Sequence, residues 1–157
     1  MWGRSSDSRI LRRLTLNILI FLLTFPFAGA QNVQLEVELR QVIKGEGSLK
    51  IGVFNKAEDF KNRTSPAYTC VVPANDTLVK CIIKNIVSGT YAVAVYHDEN
   101  NDDMLNKRKL GIPDEGVGFS DAGLKSFKPP DFSKASFYLS GDTAIVIPLR
   151  YPEKKKK

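Results

Sequence analysis

Hydrophobic and polar residues alternate through most of the chain after residue 31, and a period of two predicts β-strands rather than helices. The first such run is the clearest, because every second residue from Val33 to Leu39 is aliphatic and its neighbours are polar. A turn at 45–47 separates it from Leu49, Ile51 and Val53, which predict a second strand.

Further runs complete a set of seven predicted strands, with short turns and no convincing amphipathic helix between them. The run Tyr91–Tyr96 is apolar on both faces, which is typical of a central strand that is covered on each side. Residues 55–66 form a polar connection with one expected buried anchor, Phe60. The pattern therefore predicts an all-β fold: a single antiparallel β-sandwich of about seven strands. The predicted strands are 33–39, 49–53, 67–72, 77–83, 91–96, 136–139 and 143–149.

The two cysteines, Cys70 and Cys81, flank a segment with turn-forming residues at its midpoint. If Asn75-Asp76 is a two-residue hairpin loop, paired positions sum to 151, and the two cysteines face each other across the ladder. A disulfide is then expected in an oxidising compartment, and two buried reduced thiols are the alternative.

The segment from His97 to Asp121 lacks this alternation and is rich in acids. Oxygen donors recur at every second residue of Asp98-x-Asn100-x-Asp102, which is how a short loop wraps calcium. In a calcium loop Asp98, Asn100 and Asp102 supply side-chain oxygens, Met104 a carbonyl, and Asn106 a ligand directly or through water.

Other positions depart from the EF-hand pattern, which has Gly at its sixth position and Glu at its twelfth. Asp103 and Lys109 stand there, although Glu115 is a substitute carboxylate from beyond the bend at 111–113. A metal-free loop with Asx-turns is therefore the alternative to a calcium site. The glycines and apolar residues of 111–120 favour an ordered loop with a defined surface.

A catalytic role is the least specific interpretation of this segment. His97 follows a predicted strand, and it would act as a base with Ser120 as nucleophile. No G-x-S-x-G motif or glycine-rich phosphate loop supports that chemistry. A histidine that hydrogen-bonds a loop carbonyl is the alternative.

Residues 1–30 have the pattern of a secretory signal peptide. Four arginines precede an apolar run of about 14 residues, which is shorter than the roughly 20 that span a bilayer. Ala28-Gly29-Ala30 supplies the cleavage pattern, so we expect Gln31 as the mature N-terminus, with an uncleaved anchor as the alternative.

Net charge argues against nucleic acid as a partner. The formal charge of +6 arises from residues 1–30 and from the basic tail 153–157, because residues 31–152 hold 15 residues of each sign. The chain is thus divided into a signal peptide (1–30), one β-sandwich domain (31–152) and the tail.

Two runs carry a resemblance to a known family: GTYAVAVYHDEN from Gly89 to Asn100, and LGIPDEGVGFS from Leu110 to Ser120. With the later Pro129-Pro130-x-Phe132-x-x-Ala135, they resemble an uncharacterised family of exported bacterial proteins, domain of unknown function 2141. The resemblance implies a transthyretin-like or carboxypeptidase-regulatory-like sandwich in a Gram-negative envelope, and no activity. Asp103 and Asn106 stand where the family usually has Gly and Asp.

Two functions follow as hypotheses. The first is a non-catalytic periplasmic or secreted module that binds an envelope or extracellular protein or glycan through the 98–121 face, with calcium as the one candidate cofactor and a metal-free loop as the alternative. The second is a small periplasmic hydrolase that uses His97 and loop carboxylates.

Overall fold

The computed structural model describes residues 32–45, 47–120 and 127–153. The predicted signal peptide and lysine tail therefore lie outside the described residues, apart from Glu153. Within the described ranges no helix combines the length and apolar character needed to cross a bilayer.

Eight strands and two short helices make up the regular structure of the described residues. In chain order they are β1 Asn32–Arg40, β2 Ser48–Phe54, α1 Ala57–Asn62, β3 Tyr68–Pro73, β4 Leu78–Val87, β5 Gly89–Asp98, β6 Val117–Phe119, α2 Phe132–Ala135, β7 Phe137–Leu139 and β8 Thr143–Pro148, with a 3₁₀ turn at Lys109–Gly111. The all-β prediction is confirmed at this level. The eighth strand, β6, was missed because it has only three residues and lies among glycines.

The strands form two sheets, with the orders β4-β1-β8 and β3-β2-β5-β6, and β7 pairs with the start of β5. The ladders are antiparallel except one: β1 and β8 run parallel, with Leu35 opposite Thr143. The prediction of antiparallel pairing is wrong for this pair. Alternation does not reveal strand direction, because the inward residues of β1 and β8 repeat every second position in either orientation.

Both sheets contribute side chains to one hydrophobic cluster. The alternating residues of β1 are buried in it as predicted, at 3% exposure or less. A second cluster lies on the other face of β5, where α1 and α2 cover the sheet. The apolar character of both faces of β5 is thus explained. Phe60 of α1 is 1% exposed and packs edge-on against Phe54, Phe119 and Phe132, which confirms it as an anchor.

The predicted hairpin of β3 and β4 is wrong. β3 pairs with β2 and β4 pairs with β1, so the two strands belong to different sheets. The connection between them crosses from one sheet to the other beside the β1–β2 connection, and backbone hydrogen bonds join the two crossings. Strands that face each other in two sheets show the same inward alternation as strands paired in one sheet. The pattern alone therefore could not show which of these two arrangements β3 and β4 adopt.

The cysteine pairing is nevertheless the predicted one. Cys70 and Cys81 are joined in a disulfide, with their Cα atoms 6.7 Å apart. Cys70 lies opposite Ile51 in one sheet, and Cys81 lies opposite Val37 in the other. The bridge therefore connects the two sheets through the core instead of crossing a ladder.

Candidate functional site

The acidic loop begins at Asp98, the last residue of β5, whose side chain is fully buried. Its carboxylate accepts hydrogen bonds from the backbone N–H groups of Asp102 (3.1 Å) and Asp103 (3.0 Å). The ammonium group of Lys50 on β2 lies 3.7 Å from the same carboxylate and also pairs with Asp103. Asp98 thus fixes the first turn of the loop, and a lysine compensates its buried charge.

Asp102 is the centre of a second set of hydrogen bonds. Its Oδ1 accepts from the backbone N–H of Met104 at 2.9 Å. Its Oδ2 accepts from the side-chain amides of Asn100 (2.9 Å) and Asn106 (3.0 Å). The structure therefore brings the five candidate ligands of the sequence analysis into one turn, as a self-contained hydrogen-bonded network.

The donors that these residues present do not form the oxygen shell that calcium requires. Calcium takes six to eight oxygen ligands, whereas Asn100 and Asn106 direct their amide nitrogens toward Asp102. Among the described residues, no group of three or more His, Cys, Asp or Glu is arranged to hold a metal ion. Calcium binding stays a prediction.

Asp103 adopts the left-handed backbone conformation for which glycine is usual at this position of the loop. Its φ of 62° lies in the left-handed region, and Asn101 has a φ of 56°. Asp and Asn tolerate this conformation better than other residues with a side chain. The loop thus keeps its turn while Asp103 adds a carboxylate next to Lys50.

Glu115 closes the base of the loop and is only 4% exposed. Its carboxylate accepts the backbone N–H groups of Glu99 (3.1 Å) and Asn106 (2.9 Å). Burial raises the pKa of Glu115; these two hydrogen bonds oppose the rise, and the charges of Asp98 and Asp102 add to it. Glu115 therefore reaches the loop from beyond the bend at 111–113, and it does so through backbone donors.

His97 and Ser120 are not brought together. Ser120 lies beside Val93 and, with strands rising about 3.3 Å per residue, four residues of β5 separate it from His97 by about 13 Å. The Ser120 hydroxyl donates to the Ala135 carbonyl (2.6 Å) and accepts the Val93 N–H (2.8 Å). Both residues are at most 2% exposed, so the geometry offers no nucleophile–base pair.

Tyr151, which the sequence analysis did not single out, is the partner of His97. Its hydroxyl lies 2.9 Å from His97 Nδ1 and accepts the Ile43 N–H at 3.0 Å. Burial raises the pKa of Tyr151 to about 12; the Ile43 bond opposes the rise and the charge of Glu99 adds to it. No pattern marks this tyrosine, because it follows the last strand.

A groove of about 570 Å³ lies on the outer face of the sheet β3-β2-β5-β6. One end is formed by the segment after α1 and the other by residues 103–107 of the acidic loop. Gly52, which has no side chain, and Ala94 line it, while Val71 and Met104 are 58% and 62% exposed. Solvent-facing apolar side chains on both sides of a depression are typical of a binding surface.

The groove carries more positive than negative groups. Its lining includes Lys50, Arg63 and Lys107, and the single carboxylate of Asp103. Lys50 pairs with Asp103, while Arg63 and Lys107 form no ion pair within the described ranges. Sequence reasoning missed Arg63 because it lies in the polar connection 55–66, far along the chain from the loop.

Comparison with protein families gives one finding. The model of the family described as "Uncharacterized protein conserved in bacteria (DUF2141)" matches residues 37–146. Neither the comparison with curated proteins nor that with solved structures gives a significant match.

Proposed function

The chain belongs to the DUF2141 family of uncharacterized bacterial proteins, and from that premise we propose that it is an exported, non-catalytic binding module. Its ligand site is the groove on the outer face of β3-β2-β5-β6, beside the acidic loop. The partner is a molecule of the bacterial envelope or its surroundings. The groove is the observation that carries this proposal.

The size and lining of the groove support a ligand site. Ligand pockets measure roughly 300–1,000 Å³ and combine apolar walls with a few polar groups. The groove falls in this range at about 570 Å³, and its apolar walls include Phe119, Met104 and Leu105. Lys50 and Arg63 supply polar groups at its two ends.

In this proposal the acidic loop is a rigid wall of the site. The hydrogen bonds of Asp98, Asp102 and Glu115 hold its backbone in one shape. Met104 and Leu105 therefore keep a fixed position over the sheet, and a preformed wall lowers the entropy lost on binding.

The fold proposed for the domain is a β-sandwich of the transthyretin-like or carboxypeptidase-regulatory-like kind. Two sheets that share one hydrophobic cluster support a sandwich. The parallel pairing of β1 with β8 is the feature by which this chain departs from a purely antiparallel sandwich.

Export to the periplasm or the outside of a Gram-negative cell is the proposed location. The signal-like residues 1–30 and the cleavage pattern at 28–30 support it. The Cys70–Cys81 bridge fits the same compartment, since disulfides persist where the surroundings are oxidising.

The hydrolase hypothesis has no comparable support. Buried His97 and Ser120, each engaged with other partners and about 13 Å apart, do not offer the geometry of an activated nucleophile.

The test is a ligand-observed NMR screen of the exported protein with small amphiphilic molecules at millimolar concentration. Val71→Trp fills the groove, and Val146→Trp is its matched control, because both valines are about half exposed on outer strand faces but only Val71 lines the groove. We expect binding to be lost with Val71→Trp and kept with Val146→Trp. No binding to wild-type protein, or equal binding to both variants, would overturn the proposal.

A further inference from the structure

The guanidinium of Arg63 has no partner among the described residues that balances its charge. Among the four arginines of the described ranges, Arg40 pairs with Glu38, Arg108 pairs with Asp114, and Arg150 lies over the ring of Phe127. Arg63 is half buried at the end of α1 and has no ion pair or side-chain hydrogen bond with a described residue.

The backbone holds Arg63 firmly at this place. Arg63 is the C-cap of α1, where it takes a left-handed φ of 56° and its N–H donates to the Asp59 carbonyl. The Thr64 N–H donates to the same carbonyl at 3.0 Å. A fixed backbone beside the groove keeps the guanidinium within reach of it.

Burial without a counter-charge is unfavourable for a cation. Burial lowers the pKa of Arg63, and no carboxylate of the described residues acts in the opposite direction. A partly buried cation of this kind is stabilised most by an anion that supplies the missing counter-charge. The planar fork of arginine matches a carboxylate through two parallel hydrogen bonds, which also sets the orientation of the ligand.

The other charges of the groove favour an anion with one negative charge. Lys50 is already engaged by Asp98 and Asp103, and Lys107 is exposed to solvent. One desolvated guanidinium balances one negative charge, whereas a phosphate with nearly two charges needs further donors.

We propose that the groove binds a drug-sized ligand with an apolar body and one carboxylate, and that Arg63 binds this carboxylate while the apolar walls take the body. This inference rests on the proposed function, since it names the chemistry of the ligand for the same groove.

The experiment uses a set of aromatic and aliphatic carboxylic acids, each matched with its primary amide, and 1-naphthylacetate with 1-naphthylacetamide is one such pair. Each acid and its amide have nearly the same shape but differ in charge. Binding to the full exported protein is measured by NMR titration at fixed ionic strength. A phosphate on the same naphthyl body forms a third arm.

We expect wild-type protein to bind the acids about tenfold more tightly than the amides, the size typical of charge-assisted hydrogen bonds. Arg63→Gln should remove this preference, because the acids then bind no more tightly than their amides. Lys61→Gln is the matched control, because Lys61 lies on α1 but does not line the groove. It should keep the preference for acids. Unchanged melting temperatures exclude a folding defect.

The outcomes separate this inference from the proposed function. Equal binding of acids and amides to wild-type protein overturns the carboxylate ligand but leaves the groove as a binding site. A preference for acids that survives Arg63→Gln, or tighter binding of the phosphate, also overturns it. If neither acids nor amides bind, the proposed function fails together with it.

Discussion

Reducing the Cys70–Cys81 bridge should lower the stability of the domain by about 3 kcal/mol in the chain-entropy model. The two cysteines are 11 residues apart, so the bridge closes a short loop. For a loop of about 12 residues, the lost entropy of the unfolded chain is about 9.5 cal/mol/K, or roughly 2.8 kcal/mol at 25 °C. For a domain of about 120 residues, this loss corresponds to a decrease in melting temperature of about 10 °C.

The location of the bridge adds a structural expectation. Since it joins β3 to β4 across the core, reduction frees the edge strand β3 from the opposite sheet. Amide exchange should therefore rise in β3 more than in β1, which stays paired on both sides.

The assay is urea unfolding of oxidised and reduced wild-type protein, with Cys70→Ala/Cys81→Ala as the control. Reduction leaves both cysteine side chains in the core, so the difference isolates the covalent link. The control variant should not respond to reductant. The oxidised protein should also show a smaller denaturant slope, because the link keeps its unfolded state more compact.

Equal stability of the oxidised and reduced protein, within 1 kcal/mol, would refute this reasoning. So would two thiols that react with an alkylating agent in the folded protein before any reductant is added.

Four further predictions concern the acidic loop and the signal-like residues 1–30. Burial raises the pKa of the Glu115 carboxyl in the folded state above its ordinary value of 4.5. The stability that protonated Glu115 contributes to the folded state is therefore present below pH 4.5 and is lost as pH rises through the folded-state pKa. The stability of wild-type protein relative to Glu115→Gln should therefore increase as pH falls from 7 toward 4.5, and a constant difference in urea unfolding would contradict this. Asp98→Ala should cost about 1–3 kcal/mol, because two backbone N–H groups lose a buried acceptor. Millimolar calcium should raise the melting temperature of wild-type protein but not of this variant, and an equal rise in both would mean that the ion binds elsewhere. N-terminal sequencing of protein from the native host should begin at Gln31, and an intact Met1 would show that the leader is retained.

The sequence correctly predicted the features that depend on a single strand or a single connection. The alternation of β1 and the two apolar faces of β5 each require a specific burial, and the structure has both. Phe60 was identifiable as an anchor because it is the one large apolar residue in a polar connection. These features depend on residues that are neighbours in sequence.

The features that depend on strand pairing were not predictable. The correct cysteine pairing came from a wrong ladder, since inward positions on facing sheets and on neighbouring strands look alike. The groove combines residues from β2, β3, β5, β6 and the loop, so no local pattern marks Arg63 as part of it. The candidate ligands of the loop were predicted to lie together because they are close in sequence, whereas their hydrogen-bond partners depend on the fold.

The pairing of β1 with β8 limits the order in which the strands of the domain can pair during folding. Leu35 lies opposite Thr143, and the Gln34 N–H donates to Asp142 across 108 residues of sequence. Contacts this distant form slowly, because a long loop must close before they contribute. A chain that emerges from its N-terminus during synthesis thus keeps one edge of β1 open until β8 arrives. Until then the open edge of β1 can pair with other chains. This exposure ends when β8 is released and pairs with β1.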